Sequence, residues 1–372
     1  MCWRKTKLRH CSIQPTTIFD LLKYDKYIQA LLREIKLNRL TKLVLLFSLF
    51  ICMATPASAS TQVFKIASLA PQGSDWLNYI QEGAAKITEE TDGRVKFKFF
   101  AGGIQGSDSK VLRKMRNGQL HGGAFAAGSL ADLTSSVLLY GLPFLFNDVN
   151  EVDVVRAEFD DYVEQSIRDA GIVTFGLAGG GFAQIMSNNK VSNLQDLKGK
   201  RVWIPEGDVV SYKGMEHFGL SPVTLPITDV LTGLQTGLVD VIGASATAAL
   251  VLQWHTKVSH ISTMNVSYLY GVLGIGEKYF QKISAEDQEI VQRVFRDVYK
   301  EMDSLGMTDN DRASEALVGS GITVVEPDPG ALEDMQSRSR DLWKQAAAEG
   351  GLPQAELNQI YELLAKVRGE AN

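Results

Sequence analysis

The sequence predicts an α/β protein of two lobes, built on mostly parallel, doubly wound sheets and crossed by one long helix. Three observations lead there. Between Leu194 and Ala244, the short apolar strands RVWI and VDVIGA alternate with the helical stretches DVVSYKGMEHF and ITDVLTGLQTG, the pattern of a wound parallel sheet. From Ser284 to Leu317 helical periodicity runs without a break, which at about 1.5 Å per residue spans roughly 50 Å and outruns a single small lobe. The chain of 372 residues is also long enough that two lobes are a better expectation than one core.

The elements follow in order. TQVFKIASLA reads as a strand, GSDWLNYIQEGAAKITEETDG as an amphipathic helix ended by Gly93, and VKFKFFAGG as the next strand. SDSKVLRKMRNG is a helix capped at Ser107 or Ser109, and QLHGGAFAAG a small-residue strand, completing βαβαβ. VNEVDVVRAEFDDYVEQSIRDAG is a helix whose carboxylates read as a solvated face. GIVTFGLAGGGFAQIMSN carries two strands interrupted at Ala178-Gly179-Gly180-Gly181, a stretch free to bend where the chain crosses between lobes. In the Leu194–Ala244 unit, Asp196 and Thr228 stand at turn or cap positions, and Gly237 suits a left-handed helix end. SATAALVLQWHTKV is helical, and VSYLYGVLGIG is an apolar strand returning to the first lobe. The long helix opens at Ser284 with Asp287 three residues on; ITVVEPD is a strand, and two helices split near residues 350–353 close the chain.

The N-terminus carries a basic LNRLTK, an apolar LVLLFSLFICMA and a small-residue TPASAS, the anatomy of a secretory signal peptide cut after Ala59. The apolar run is shorter than the roughly 20 residues a spanning helix needs. Ile51 before Cys52 makes a poor lipoprotein site. Removing residues 1–59, with 10 of the 38 basic and 3 of the 43 acidic residues, leaves 313 residues with 28 basic against 40 acidic, a net charge of −12. Such a balance argues against nucleic acid or an anionic membrane as partner. Cys2, Cys11 and Cys52 all lie in the removed part, so the exported chain has neither disulfide nor nucleophilic thiol.

Little in the chain suggests catalysis. His121, His217, His255 and His260 form no HExxH motif, and no GxSxG elbow occurs. The expectation is no enzyme, no cofactor and no metal. In a wound α/β sheet the ligand lies at the carboxyl ends of the strands, which directs attention to the residues at and after Trp203 and Gly243.

Several segments resemble a known family in order and spacing: FAGGIQGSDSKVLRKMRNGQL, LYGLPFLFNDVNEV, DLKGKRVWIP, SPVTLP and TGLQTGLVD. Together, over roughly residues 62–330, they are similar to the solute-binding proteins of tripartite ATP-independent periplasmic (TRAP) transporters, dicarboxylate-binding type. The resemblance implies a two-lobe periplasmic binding protein fold with a long helix spanning both lobes, a small organic solute as ligand, and membrane permease subunits as partners. Lobe I is then expected over residues 60–181 and about 269–308, and lobe II over 182–268 and about 309–372. The exported protein is expected in the periplasm as a monomer.

The site positions implied by the same matching depart from the family pattern. The strand arginine four residues after the glycine of DLKGxKxR, suited to fork onto a carboxylate, falls at Trp203; a second arginine, in a G-x-R-x-x-T context, falls at Ala183 within GFAQIMS. DGQENP is replaced by Asp240-Val241-Ile242-Gly243-Ala244-Ser245, and the remaining loops offer Leu69, Phe125, Ala126 and Ile227. The candidate ligand contacts are therefore Trp203, Phe182, Ala183, Gln184, Leu69, Phe125, Ala126, Ile227, Ala244, Ser245 and Arg201. Two readings stand. Either Arg201, two residues before Trp203, grips an organic acid, or the carboxylate clamp is gone and Trp203, Phe182 and Trp254 wall a bulkier, more apolar solute. Glu206 and Asp208 keep open a cationic ligand boxed by aromatics. A sensor receptor in place of a permease is an alternative partner.

Overall fold

The computed structural model describes residues 61–370. The signal segment, the cut after Ala59 and the three cysteines lie outside the described residues.

The first half is wound as expected. Strand β1 (Gln62–Ser68), helix α1 (Asp75–Glu90), β2 (Val95–Phe100), α2 (Asp108–Arg116) and β3 (Gly122–Ala126) give a parallel sheet in the order β2-β1-β3. Its faces are buried by Phe64 and Ile66 from β1 and Leu77, Ile80 and Ile87 from α1, residues spaced to share one side of the strand and of the helix. Helix α3 (Val149–Asp169) is capped by Asp148, whose carboxylate accepts from the Glu151 N–H, and buries Val152, Val155, Phe159 and Val163. Asp153, Glu158, Asp161 and Asp169 form the expected solvated face, but Glu151 is buried and Asp160 and Glu164 are half-buried, so that expectation holds only in part.

The second half repeats the plan. Strands β6 (Arg201–Pro205), β7 (Ser221–Leu225) and β8 (Val241–Ala244) run parallel in the order β8-β6-β7, linked by α4 (Val209–His217) and α5 (Val230–Thr236). Gly237 ends α5 in the left-handed conformation (φ 69°), as its position required. Asp196 serves a turn, accepting from Ser192 N and Oγ, whereas Thr228 sits inside a short 3-10 turn before α5 and caps nothing.

Two ten-residue strands cross between the halves, after the two-residue β4 (Ile172–Val173). Strand β5 (Ala178–Ser187) pairs with β10 (Ser267–Gly276) through Ala183, then with β8 from Gln184 onward; β10 continues onto β3. The two crossing strands are antiparallel to each other, and each is antiparallel to the triplet it adjoins, β10 to β3 and β5 to β8. The glycines 179–181 lie within β5 and do not interrupt it. Their register slips between Tyr268 and Tyr270, and a side chain at Gly179 would strike the Tyr268 hydroxyl, so glycine here answers close approach. Strands β9 (His260–Ser262) and β11 (Thr323–Val325) pair parallel beside β5.

After α6 (Ala246–Val251) and α7 (Glu277–Phe280), the long helix α8 runs Ala285–Gly319, with Ser284 accepting from Asp287 N at its start. It packs on α1 from the first half, on β5, and on α6 from the second, so it does span both. Helix α9 (Ala331–Ala348) lies against α4, and α10 (Gln354–Val367) returns to α3, fastened there by Arg368 on Glu151 at 2.7 Å.

Candidate functional site

The carboxyl ends of β1, β3, β6, β7 and β8 converge on one cavity of about 780 Å³, within the range of small-molecule sites. Each half contributes loops: Ser68 to Pro71 and Ala124 to Ser129 from the first, Pro205 to Asp208, Pro226 to Ile227 and Ala244 to Ala248 from the second.

Of the eleven residues the sequence proposed, the cavity gathers Leu69, Phe125, Ala126, Ala183, Trp203, Ile227, Ala244 and Ser245. Phe182 and Gln184 do not line it. In β5 successive side chains alternate, so Ala183 and Ile185 reach the cavity while Phe182 turns away to pack edge-on against Tyr268 at 5.6 Å. Arg201 is the larger correction. It occupies the amino end of β6, the end opposite the cavity, and its guanidinium forks onto Asp240 at 2.7 and 2.8 Å with its side chain 48% exposed. That pairing holds the Asp240 carboxyl below the usual carboxylate range. Arg201 fixes the entry of β6 beside β8 and is spent there.

Trp203 is 6% exposed, its indole N–H donating to the Leu225 carbonyl at 3.0 Å, and its ring meets Trp254 edge-on at 5.2 Å. It is thus both core and wall. Other large walls have their polar ends committed in the same way: Tyr270 donates to the Val137 carbonyl (2.8 Å) and Trp343 to that of Pro143 (3.0 Å). What these side chains leave for a ligand is apolar surface.

The charged lining is lopsided. Among the described residues, Asp75, Asp108, Glu206, Asp208 and Asp309 stand against one cation, Arg312, whose side chain is 74% exposed and lies 3.6 Å from Asp309. Asp108, in the first turn of α2, is 7% exposed; burial pushes its carboxyl up to about 6, with the Ala126 N–H (3.2 Å) and the Ser129 hydroxyl offsetting only part. Asp208 caps α4 by accepting from Ser211 N at 2.9 Å, and burial raises it too. Among the described residues neither carboxylate meets a lysine, arginine or histidine. Ser107 caps nothing despite its position: its buried hydroxyl has no hydrogen-bond partner. Sequence reasoning missed Ser107 and Asp108 because SDSK was read only as a helix start. The available signal was the place of that start, a loop following a strand's carboxyl end.

A family model for bacterial extracellular solute-binding proteins, family 7 (DctP), matches residues 66–349. The chain belongs to that family. Similar structures include a TRAP periplasmic solute-binding protein from Haemophilus influenzae RdAW with bound L-gulonate (20% identity, TM-score 0.75, 82% of this chain and 100% of that one). Another is from Desulfovibrio salexigens with bound orotic acid (18% identity, TM-score 0.74, 82% and 100%). In sequence, the sialic acid-binding periplasmic protein SiaP of Vibrio cholerae is 22% identical over 85% of this chain and 97% of its own length. The DctP family works by carrying small organic solutes in the periplasm to membrane permease subunits. Its range is wider than C4-dicarboxylates.

Proposed function

We propose that this DctP-family protein holds a solute with a substantial apolar or aromatic body, against Trp203, and passes it to the permease of a TRAP transporter. The observation that carries this is the absence, among the described residues, of a buried cation lining the cavity: Arg201 points elsewhere and Arg312 is exposed beside Asp309. A carboxylate in a closed cleft needs such a partner, since an unpaired buried charge costs several kcal/mol. The family resemblance assigns the arginine positions to Trp203 and Ala183, both of which line the cavity.

The protein acts as a monomeric carrier without catalysis, exported by cleavage after Ala59. Its lobes are residues 60–181 with about 269–308, and 182–268 with about 309–372, hinged where β5 and β10 cross. Among the described residues no helix is long and apolar enough to cross a membrane. A thermal-shift screen over organic acids, aromatic acids, amines and polyols tests the ligand reading. Stabilisation by solutes with an aromatic or aliphatic body, weakened in Trp203→Phe, supports it. Tight succinate binding that survives Trp203→Phe and disappears in Arg201→Ala refutes it.

A further inference from the structure

We propose that the ligand is a cation, a protonated amine carried on an apolar body, with Asp108 from one half and Asp208 from the other as its counter-charges. This rests on the reading of the cavity as the solute site.

Three features of the cavity point the same way. First, the only buried or half-buried charges that face it from α2 and from the start of α4 are carboxylates, and neither has a basic partner among the described residues. Charges are removed from water at a cost that an opposite charge must offset, and a bound ammonium in the cavity both residues line supplies it. An anion brought to the same place meets like charge and adds desolvation of its own. Second, the Ser107 hydroxyl, next to Asp108 and lining the same cavity, is buried without a partner. It offers a lone pair to an N–H donor beside the carboxylate. Third, the walls include Trp76, Phe125, Trp203 and Trp254, and the indole N–H of Trp203 is already bonded to Leu225. Aromatic faces attract an ammonium and repel a carboxylate.

A structural role for the two aspartates does not remove the argument. Asp108 accepts from the Ala126 N–H on Oδ2 and is favoured by the Ser129 hydroxyl, and Asp208 accepts from the Ser211 N–H on Oδ1 and is favoured by the hydroxyl of the same serine. A carboxylate accepts more bonds than that.

The test is calorimetric titration of the full mature chain at about pH 8, above the value of about 6 to which burial pushes Asp108. Tryptamine, tryptophol and indole-3-acetate share one indole body and carry a positive, a neutral and a negative group; phenethylamine, phenethyl alcohol and phenylacetate repeat the series. The amine is expected to bind at least about ten-fold tighter than its alcohol, with the acid weakest, as charge-assisted bonds exceed neutral ones. Asp108→Asn and Asp208→Asn should each shrink the amine-to-alcohol ratio; asparagine remains a competent helix cap at position 208. An amine that binds no better than its alcohol in either series overturns the proposal. If the alcohol or the acid then binds, the apolar-body reading of the site still stands; if succinate or L-gulonate binds and no aromatic compound does, both fall.

Discussion

The backbone N–H of Gly179 donates to Asp303 Oδ1 at 2.8 Å, joining the crossing strand β5 to the middle of the long helix α8. At this point α8 presses on β5 through glycine on both sides: a methyl group at Gly306 would drive into the Gly179 carbonyl. Alanine is favoured over glycine in a helix by about 1 kcal/mol, so propensity alone predicts that Gly306→Ala stabilises. Overpacking against backbone that cannot yield costs roughly 1–3 kcal/mol and should win. Denaturant unfolding of Gly306→Ala is expected to show a lower midpoint than wild type.

Asp303 is shared. Arg156 Nη1 also reaches its Oδ1 at 2.7 Å, while the same guanidinium binds Asp160 and donates to the Leu177 carbonyl at 3.0 Å and the Tyr268 hydroxyl at 3.1 Å. Arg156 is 8% exposed. Removing it takes the shared cation from two carboxylates that are each about a third exposed and leaves the buried Leu177 carbonyl without its donor, so Arg156→Met should cost roughly 1–3 kcal/mol. Asp303→Asn, which keeps an acceptor for Gly179, should cost less than Arg156→Met in the same unfolding assay.

Acid should release the C-terminal helix. Burial works against the Glu151 charge, but the Arg368 guanidinium and the Asn147 donors overcome it and hold the carboxyl below its ordinary 4.5. A depressed carboxyl contributes stability that is fully present above the unfolded pKa and lost as pH falls through the folded one. Hydrogen exchange in α10 is expected to rise in wild type only below the ordinary carboxylate range, and at neutral pH already in Glu151→Gln.

Asp108 has the opposite sign. Its carboxyl moves from 3.8 to about 6 on folding, so the folded state holds the proton more tightly. The free protein then loses stability as pH rises from the unfolded value through the folded one, by roughly 3 kcal/mol at about 1.36 kcal/mol per unit. Asp108→Asn escapes this loss. Its melting temperature relative to wild type should therefore climb between about pH 4 and pH 7 and level off above.

Much of this fold was written in local pattern. Residues 284–317 carry one uninterrupted period and the helix is there; Gly237 and Ser284 end and start helices as their chemistry demands. The failures are instructive in physical terms. The run at Gly179 looked like a break because glycine frees the backbone, yet what selects it is the approach of Tyr268 and α8, which no local window contains. At the site, matching positions found eight of the lining residues. Phe182 and Gln184 failed by strand alternation, and Arg201 by its partner Asp240, 39 residues away. Asp108 and Ser107 were legible as a helix start and not as a cavity wall, because burial of a carboxylate depends on what folds over it.

Calorimetric titration with succinate and L-gulonate puts the most direct question to a cavity that, among the described residues, has no buried cation in its lining. The account predicts no saturable heat up to about 1 mM, a free energy no better than about −4 kcal/mol. A dissociation constant near 1 µM, about −8 kcal/mol, abolished by Arg312→Ala or Arg201→Ala, would contradict it.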